Sequence, residues 1–147
     1  MEKILEKYQG PSNVLVGVPK GAGAYEDGTL IAVIAAVNEF GSADGRIPER
    51  AALRLGVEDA LPQIRLLVKK MLPQLNADEM EMEDLLNLIG ELSVGSIQEK
   101  ISSGVGPANA PSTIKRKGSS TPLIDKGTYR QSIRHVIPGE GEEVEEV

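Results

Sequence analysis

The sequence has no cysteine and no tryptophan, and only one phenylalanine and one histidine among its 147 residues. Without cysteine, neither a disulfide framework nor a thiolate zinc site can form, and a lone histidine does not make a metal site. Phe40 and three tyrosines are too few to form a row of aromatic rings for stacking on nucleic-acid bases. We therefore expect a core of Leu, Ile, Val, Ala and Met, and no metal or cofactor.

Long apolar runs are also absent. No run reaches the length that crosses a membrane, and no basic segment followed by an apolar segment opens the sequence. We expect a soluble, intracellular protein without a membrane partner. Its length suffices for one domain with a modest core.

Acidic charge is concentrated near the end of the sequence. The formal net charge is −6, and most of it comes from five glutamates: Glu140, Glu142, Glu143, Glu145 and Glu146. Isolated acidic ends are typical of solvated tails. We therefore predict a single domain over residues 1–138 and an acidic flexible tail over 139–147. The nearly neutral remainder disfavours a dedicated DNA-binding protein.

Apolar residues at spacings of three and four predict two long helices in the middle of the chain. Pro62 interrupts the first, so we predict a short piece followed by a main helix over 59–72, which Pro73 closes. The second is predicted to start at Asp78 and to end near residue 103, with carboxylates in its first turns. Gly90 and Gly95 lower its helix propensity, which suggests close approach of a neighbouring helix or subunit.

The flanking segments are shorter. We predict strands over 13–18 and 132–137, a helix over 29–40 that Gly41 ends, and a long ordered loop over 104–122. The order predicts an α+β domain in which a small antiparallel sheet packs with two long helices and shorter helices, followed by a long ordered C-terminal loop.

No set of side chains points to catalysis. His135 lies in an alternating strand beside Arg134, where a structural role is expected. A Ser-His-carboxylate set would need His135, no Gly-x-Ser-x-Gly pattern occurs, and no pair of carboxylates stands apart. We predict that the protein is not an enzyme. The basic run Lys115–Lys117 leaves open a small nucleic-acid-binding protein as a function of another class.

Two motifs carry a resemblance to a known family. The first is Asn38-Glu39-Phe40-Gly41 followed by Ile47-Pro48-Glu49-Arg50. The second runs from Pro107 through Thr113 to Lys117-Gly118 and continues with Pro122-Leu123-Ile124-Asp125-Lys126-Gly127. Together they resemble the signatures of tailed-bacteriophage neck and tail-completion morphogenesis proteins of the HK97 gene-product-10 type and of the related Mu type. The chain departs from the pattern at Ala51-Ala52, where the family has Pro-Phe, and at Lys126, where it has Thr.

The resemblance implies a structural protein of the virion head–tail connector, assembled in the host cytoplasm. Such a protein forms a closed ring of about six or twelve copies between the portal or adaptor and the tail. Its partners would be head-completion proteins and tail terminator or tail tube proteins, with DNA passing through the lumen without sequence-specific binding. A tail terminator that caps the tail tube is the alternative within this family. The residues expected at subunit or ring contacts are Glu39, Phe40, Arg46, Arg50, Lys115, Arg116, Lys117 and Asp125.

Overall fold

The computed structural model describes residues 10–106 and 127–139. Within these ranges the chain forms four helices and two strands, in this order: β1 Leu15–Gly17, α1 Ile31–Phe40, α2 Ala52–Asn76, α3 Met82–Ser103, α4 Thr128–Gln131 and β2 Arg134–Val136. The strands pair antiparallel, with Val16 opposite His135. The predicted α+β class is confirmed at this level. Most of the predicted C-terminal loop and the acidic tail lie outside the described residues.

Helix α2 differs from the prediction, because it is one helix of 25 residues with Pro62 and Pro73 inside it. Proline removes one backbone hydrogen bond and normally ends or kinks a helix. Both prolines lie on the exposed side of α2, as do Glu58 and Lys69, whose carbonyl groups lose their helical partner. Water can hydrogen-bond to carbonyl groups of residues this exposed, so the two lost helical bonds are tolerated. The predicted break at residue 59 and stop at Pro73 are therefore wrong.

Helix α3 begins at Met82 and not at Asp78. Asp78 has a φ of 60°, a left-handed conformation that a helix does not continue. Glu81 and Asp84 instead form a capping box, in which the backbone N–H of Glu81 donates to the Asp84 carboxylate at 3.2 Å. The predicted end is confirmed, since α3 stops at Ser103 and Gly104 follows with a φ of 87°.

The shorter elements largely follow the sequence pattern. Helix α1 ends at Phe40, and Gly41 follows with a φ of 76°, as predicted. The predicted alternation is found within β2, where His135 is half-buried and Arg134 and Val136 are exposed. Ser132, which the alternation places on the side of Arg134, precedes the strand and is buried. Both strands are three residues long and thus shorter than predicted.

The main core lies where α1, the start of α2, the end of α3 and α4 meet. Its buried members are Ile31, Ala35, Ala52, Ile97, Ile101, Val105, Tyr129 and Ile133. A smaller buried group, formed by Leu75, Leu85 and Leu86, lies near the turn between α2 and α3. The two long helices therefore form an antiparallel hairpin with buried side chains at both ends.

Two glycines allow the long helices to pack closely, one against the other helix and one against the sheet. A Cβ atom on Gly56 of α2 would stand 2.6 Å from the Cα of Ile97, and Ser96 donates its hydroxyl to the Gly56 carbonyl at 2.7 Å. A Cβ atom on Gly90 of α3 would stand 2.5 Å from the ring of His135. Gly90 is closely approached, but by strand β2 and not by the neighbouring helix or subunit that was predicted, and in the described structure nothing lies within 4 Å of a Cβ atom on Gly95.

Candidate subunit-contact site

The start of α2 is capped by a side chain from another helix. Its own N-cap residue, Ala51, has no side chain that can accept a hydrogen bond. The carboxylate of Glu39, near the end of α1, accepts the backbone N–H of Leu53 and of Arg54, each at 3.0 Å. Glu39 is only 8% exposed, and the positive end of a helix dipole stabilises a carboxylate at this place. This cap fixes the angle at which α1 meets α2.

The segment between α1 and α2 brings the two halves of the first motif together. The backbone N–H of Arg50 donates to the carbonyl of Asn38 at 2.6 Å. Gly41 packs so tightly that a Cβ atom would stand 3.0 Å from the Ile47 carbonyl and 3.1 Å from the Glu49 nitrogen. Its positive φ and this close approach both require glycine. The motif therefore describes one structural unit, the α1–α2 corner, which spans residues 38–54.

The tip of this corner is a turn closed by Ser42 and Asp44. The Ser42 hydroxyl donates to the Asp44 carboxylate at 2.6 Å and accepts the Ile47 N–H at 2.8 Å. The hydrogen bonds from Ser42 and from the Arg46 N–H lower the pKa of Asp44. Arg46 also pairs with Asp44 at 3.2 Å through an exposed side chain, so its charge is presented to solvent on an ordered turn.

The residues predicted for subunit contacts fall into three groups. Glu39 and Arg50 are buried within the chain, and burial lowers the pKa of Arg50. Phe40 and Arg46 are exposed at the α1–α2 corner. Lys115, Arg116, Lys117 and Asp125 lie outside the described residues. The structure thus gives Glu39 a role inside the chain that the sequence did not indicate, and contacts between subunits stay a prediction.

An apolar line on α1 was missed in the sequence. Val33, Val37 and Phe40 follow one another at spacings of four and three on one side of α1, and Leu30, the extended N-cap residue, lies three positions before Val33. In the described part of the chain Phe40 is 71% exposed, Leu30 and Val33 are about half exposed, and Val37 is half-buried. We call these four residues the α1 stripe. The signal was present, because the only charged residue of α1 is Glu39, which points inward.

His135 has the structural role that the sequence indicated. Its Nε2 atom lies 3.0 Å from Oδ1 of Asn87, and its ring packs on Gly90. Across residues 10–106 and 127–139, no group of three or more His, Asp or Glu side chains has the arrangement of a metal site. Nor does any helix in these ranges have the length and apolarity needed to cross a membrane.

Comparisons with known proteins found no match for this chain among protein-family models, curated proteins or solved structures.

Proposed function

We propose that this protein is a structural subunit of a tailed-phage head–tail connector, which acts by assembling into a ring between the portal or adaptor and the tail. The observation that carries the proposal is the α1 stripe, an uncharged apolar surface that ends in the exposed Phe40. The first motif of the resemblance supports it as well, because its residues build the α1–α2 corner that presents Phe40.

A helix that is apolar on every side is normally buried. Helix α1 buries Ile31 and Ala35 inside the chain and leaves the α1 stripe outside. Contiguous exposed apolar surface is typical of protein–protein contacts, and aromatic residues are enriched at the centre of such contacts. A partner protein would therefore complete the burial of α1.

The α1–α2 corner also makes this surface rigid before a partner binds. The Glu39 cap and the hydrogen bond from the Arg50 N–H to the Asn38 carbonyl hold the two residues that precede Phe40. A side chain presented on a fixed backbone loses little conformational freedom on binding, which favours affinity. We infer that the buried motif residues act by positioning Phe40 and Arg46, which make the contacts.

The test is the size of the purified protein, measured by light scattering on a sizing column and by negative-stain images of the same peak. We expect a closed ring, and we expect Phe40→Asp to abolish it because a charge would be buried in the contact. Ser12→Asp adds the same charge at an exposed position outside the helices and should leave the ring intact.

A wild-type chain that stays monomeric would next be mixed with portal-bearing capsids, where binding that depends on Phe40 supports the connector function. No binding there, or assembly that Phe40→Asp leaves unchanged, would contradict it. Binding to duplex DNA by a monomer, with a steep salt dependence, would favour the nucleic-acid-binding alternative.

A further inference from the structure

The second half of α2 presents a basic surface that the α1 stripe does not include. Residues 61–76 contain three basic side chains and no acidic one. Arg65, Lys69 and Leu72 follow at spacings of four and three on the exposed side of the helix, with Leu66 and Lys70 beside them. Leu66 is 69% exposed. Among the described residues, neither Arg65 nor Lys69 nor Lys70 takes part in an ion pair.

The outer side of α3 presents the opposite charge. Asp84, Leu88, Glu91, Gly95 and Glu99 follow at spacings of four, three, four and four, which places them on one line. All are exposed except Leu88, which is half-buried. A Cβ atom on Gly95 would meet nothing within 4 Å in the described structure. The glycine that lowers the helix propensity of α3 at this point therefore has no packing neighbour there.

We propose that these two surfaces bind each other between neighbouring copies, so that the basic line of α2 in one copy packs against the acidic line of α3 in the next. The opposite charges would face each other, and Leu66 and Leu72 would meet Leu88. Gly95 would let the two helix axes approach at the short end of the usual 8–10 Å range. The contact joins two different surfaces, so it can repeat from one copy to the next. That these repeats close into a ring is the one part of the inference that rests on the proposed connector function.

The charges cannot be explained by pairing within one hairpin. Helices α2 and α3 face each other through their inner sides, where Gly56 packs on Ile97. The basic and acidic lines lie on the outer sides, so they point away from each other in one copy. The pair between Asp59 and Lys100 does join the two helices, but it involves neither line. A second copy supplies each surface with a partner of opposite charge.

Two double variants test the pairing. Arg65→Glu with Lys69→Glu makes both lines acidic, and Glu91→Lys with Glu99→Lys makes both lines basic. Each variant alone is expected to associate about a hundredfold more weakly than the wild type, because like charges then face each other. An equimolar mixture should associate as tightly as the wild type, in complexes that alternate between the two variants. Sedimentation velocity and native mass spectrometry measure both effects, and circular dichroism checks that each variant is folded.

The outcomes separate this contact from its alternatives. A mixture that is not restored, a variant that associates alone like the wild type, or a wild type that is monomeric up to its solubility limit would overturn the proposal. A chain truncated after Gly139 should associate like the full chain. Loss of association on truncation would mean that the acidic tail occupies the basic line, and would overturn it as well.

The connector function and this contact can fail separately. Restored association in the mixture without binding to portal-bearing capsids leaves the contact in place and contradicts the connector function. Rings that form and bind capsids, but are insensitive to the charge reversals, contradict the contact alone.

Discussion

Glycine and leucine occur on both the inner and the outer side of the α2–α3 hairpin, but their surroundings differ. On the inner side, Gly56 packs so closely on Ile97 that an added Cβ atom would collide with it. On the outer side, Gly95 has open space around it, and Leu66 is mostly exposed. A glycine inside a helix costs about 1 kcal/mol relative to alanine. Inside the hairpin this cost is offset by close packing within the chain, whereas the described structure shows no such offset at Gly95.

The contrast separates residues that packing within the chain explains from residues that it leaves exposed. Residues on the inner side are explained by their neighbours in the same chain. Most residues of the α1 stripe and of the charged lines on α2 and α3 are exposed in the described part of the chain, although Asp84 also caps α3. Their regular spacing on exposed helix sides is what a binding surface requires.

The largest effect is expected from Gly56→Val. The new side chain would collide with backbone atoms of Ile97, which cannot move aside without separating the two helices. We expect a loss of about 3 kcal/mol or more in the free energy of unfolding. Urea unfolding of a dilute, monomeric sample measures it.

Gly95→Val is the matched control on the other helix. Its Cβ atom meets nothing, and valine has a somewhat better helix propensity than glycine, so the free energy of unfolding should change by less than about 0.5 kcal/mol. Equal losses in the two variants would break the distinction between the inner and outer sides.

A smaller loss is expected where the Glu39 cap is removed. Glu39→Ala leaves the N–H groups of Leu53 and Arg54 without their acceptor in a buried place, which should lower the free energy of unfolding by about 2 kcal/mol. Glu49→Ala removes an equal charge near the same helix start. Because the Glu49 pair with Arg54 is exposed, it should cost at most about 1 kcal/mol. Similar losses in the two variants would show that Glu39 acts only as a surface charge.

The periodic spacing of apolar residues and the positions of helix-ending glycines predicted much of the fold. Gly41 and Gly104 end α1 and α3 as predicted, and the alternation in β2 correctly separates the half-buried His135 from the exposed Arg134. The predictions failed at Pro62 and Pro73 because local rules do not say whether a carbonyl group will face water. The prediction at Asp78 failed because the capping box of Glu81 and Asp84 starts α3 later. The long extent of α2 depends on its packing against α3, which is a tertiary property.

The candidate site was predicted less completely. The first motif pointed to the right segment, and Phe40 and Arg46 are indeed exposed there. Yet the motif could not separate residues that build the corner from residues that face outward, since Glu39 and Arg50 look like surface charges in the sequence. Their burial depends on where α2 starts in space, because Glu39 caps a helix that begins thirteen residues later. The α1 stripe could have been found from the lack of charge in α1.

A small effect at neutral pH is expected from Tyr129→Phe, inside the main core. Burial raises the pKa of Tyr129, with smaller contributions from the nearby Glu39 and Tyr25. Its hydroxyl has no hydrogen-bond partner in the part of the chain that the structure describes. Removing the hydroxyl should therefore change the free energy of unfolding by less than about 1 kcal/mol at pH 7.

The alkaline range makes the same substitution informative. An unfolded tyrosine loses its proton above about pH 10, whereas the folded Tyr129 keeps it, so ionisation favours the unfolded state. Below this pH both states are protonated, and the stability is unaffected; above it, the wild type should lose about 1.4 kcal/mol per pH unit relative to Tyr129→Phe. Urea unfolding of both proteins from pH 7 to about pH 11 measures the difference. A difference that stays constant across this range would mean that Tyr129 ionises in the folded protein as easily as in the unfolded one. The main core around Tyr129 would then be open to water.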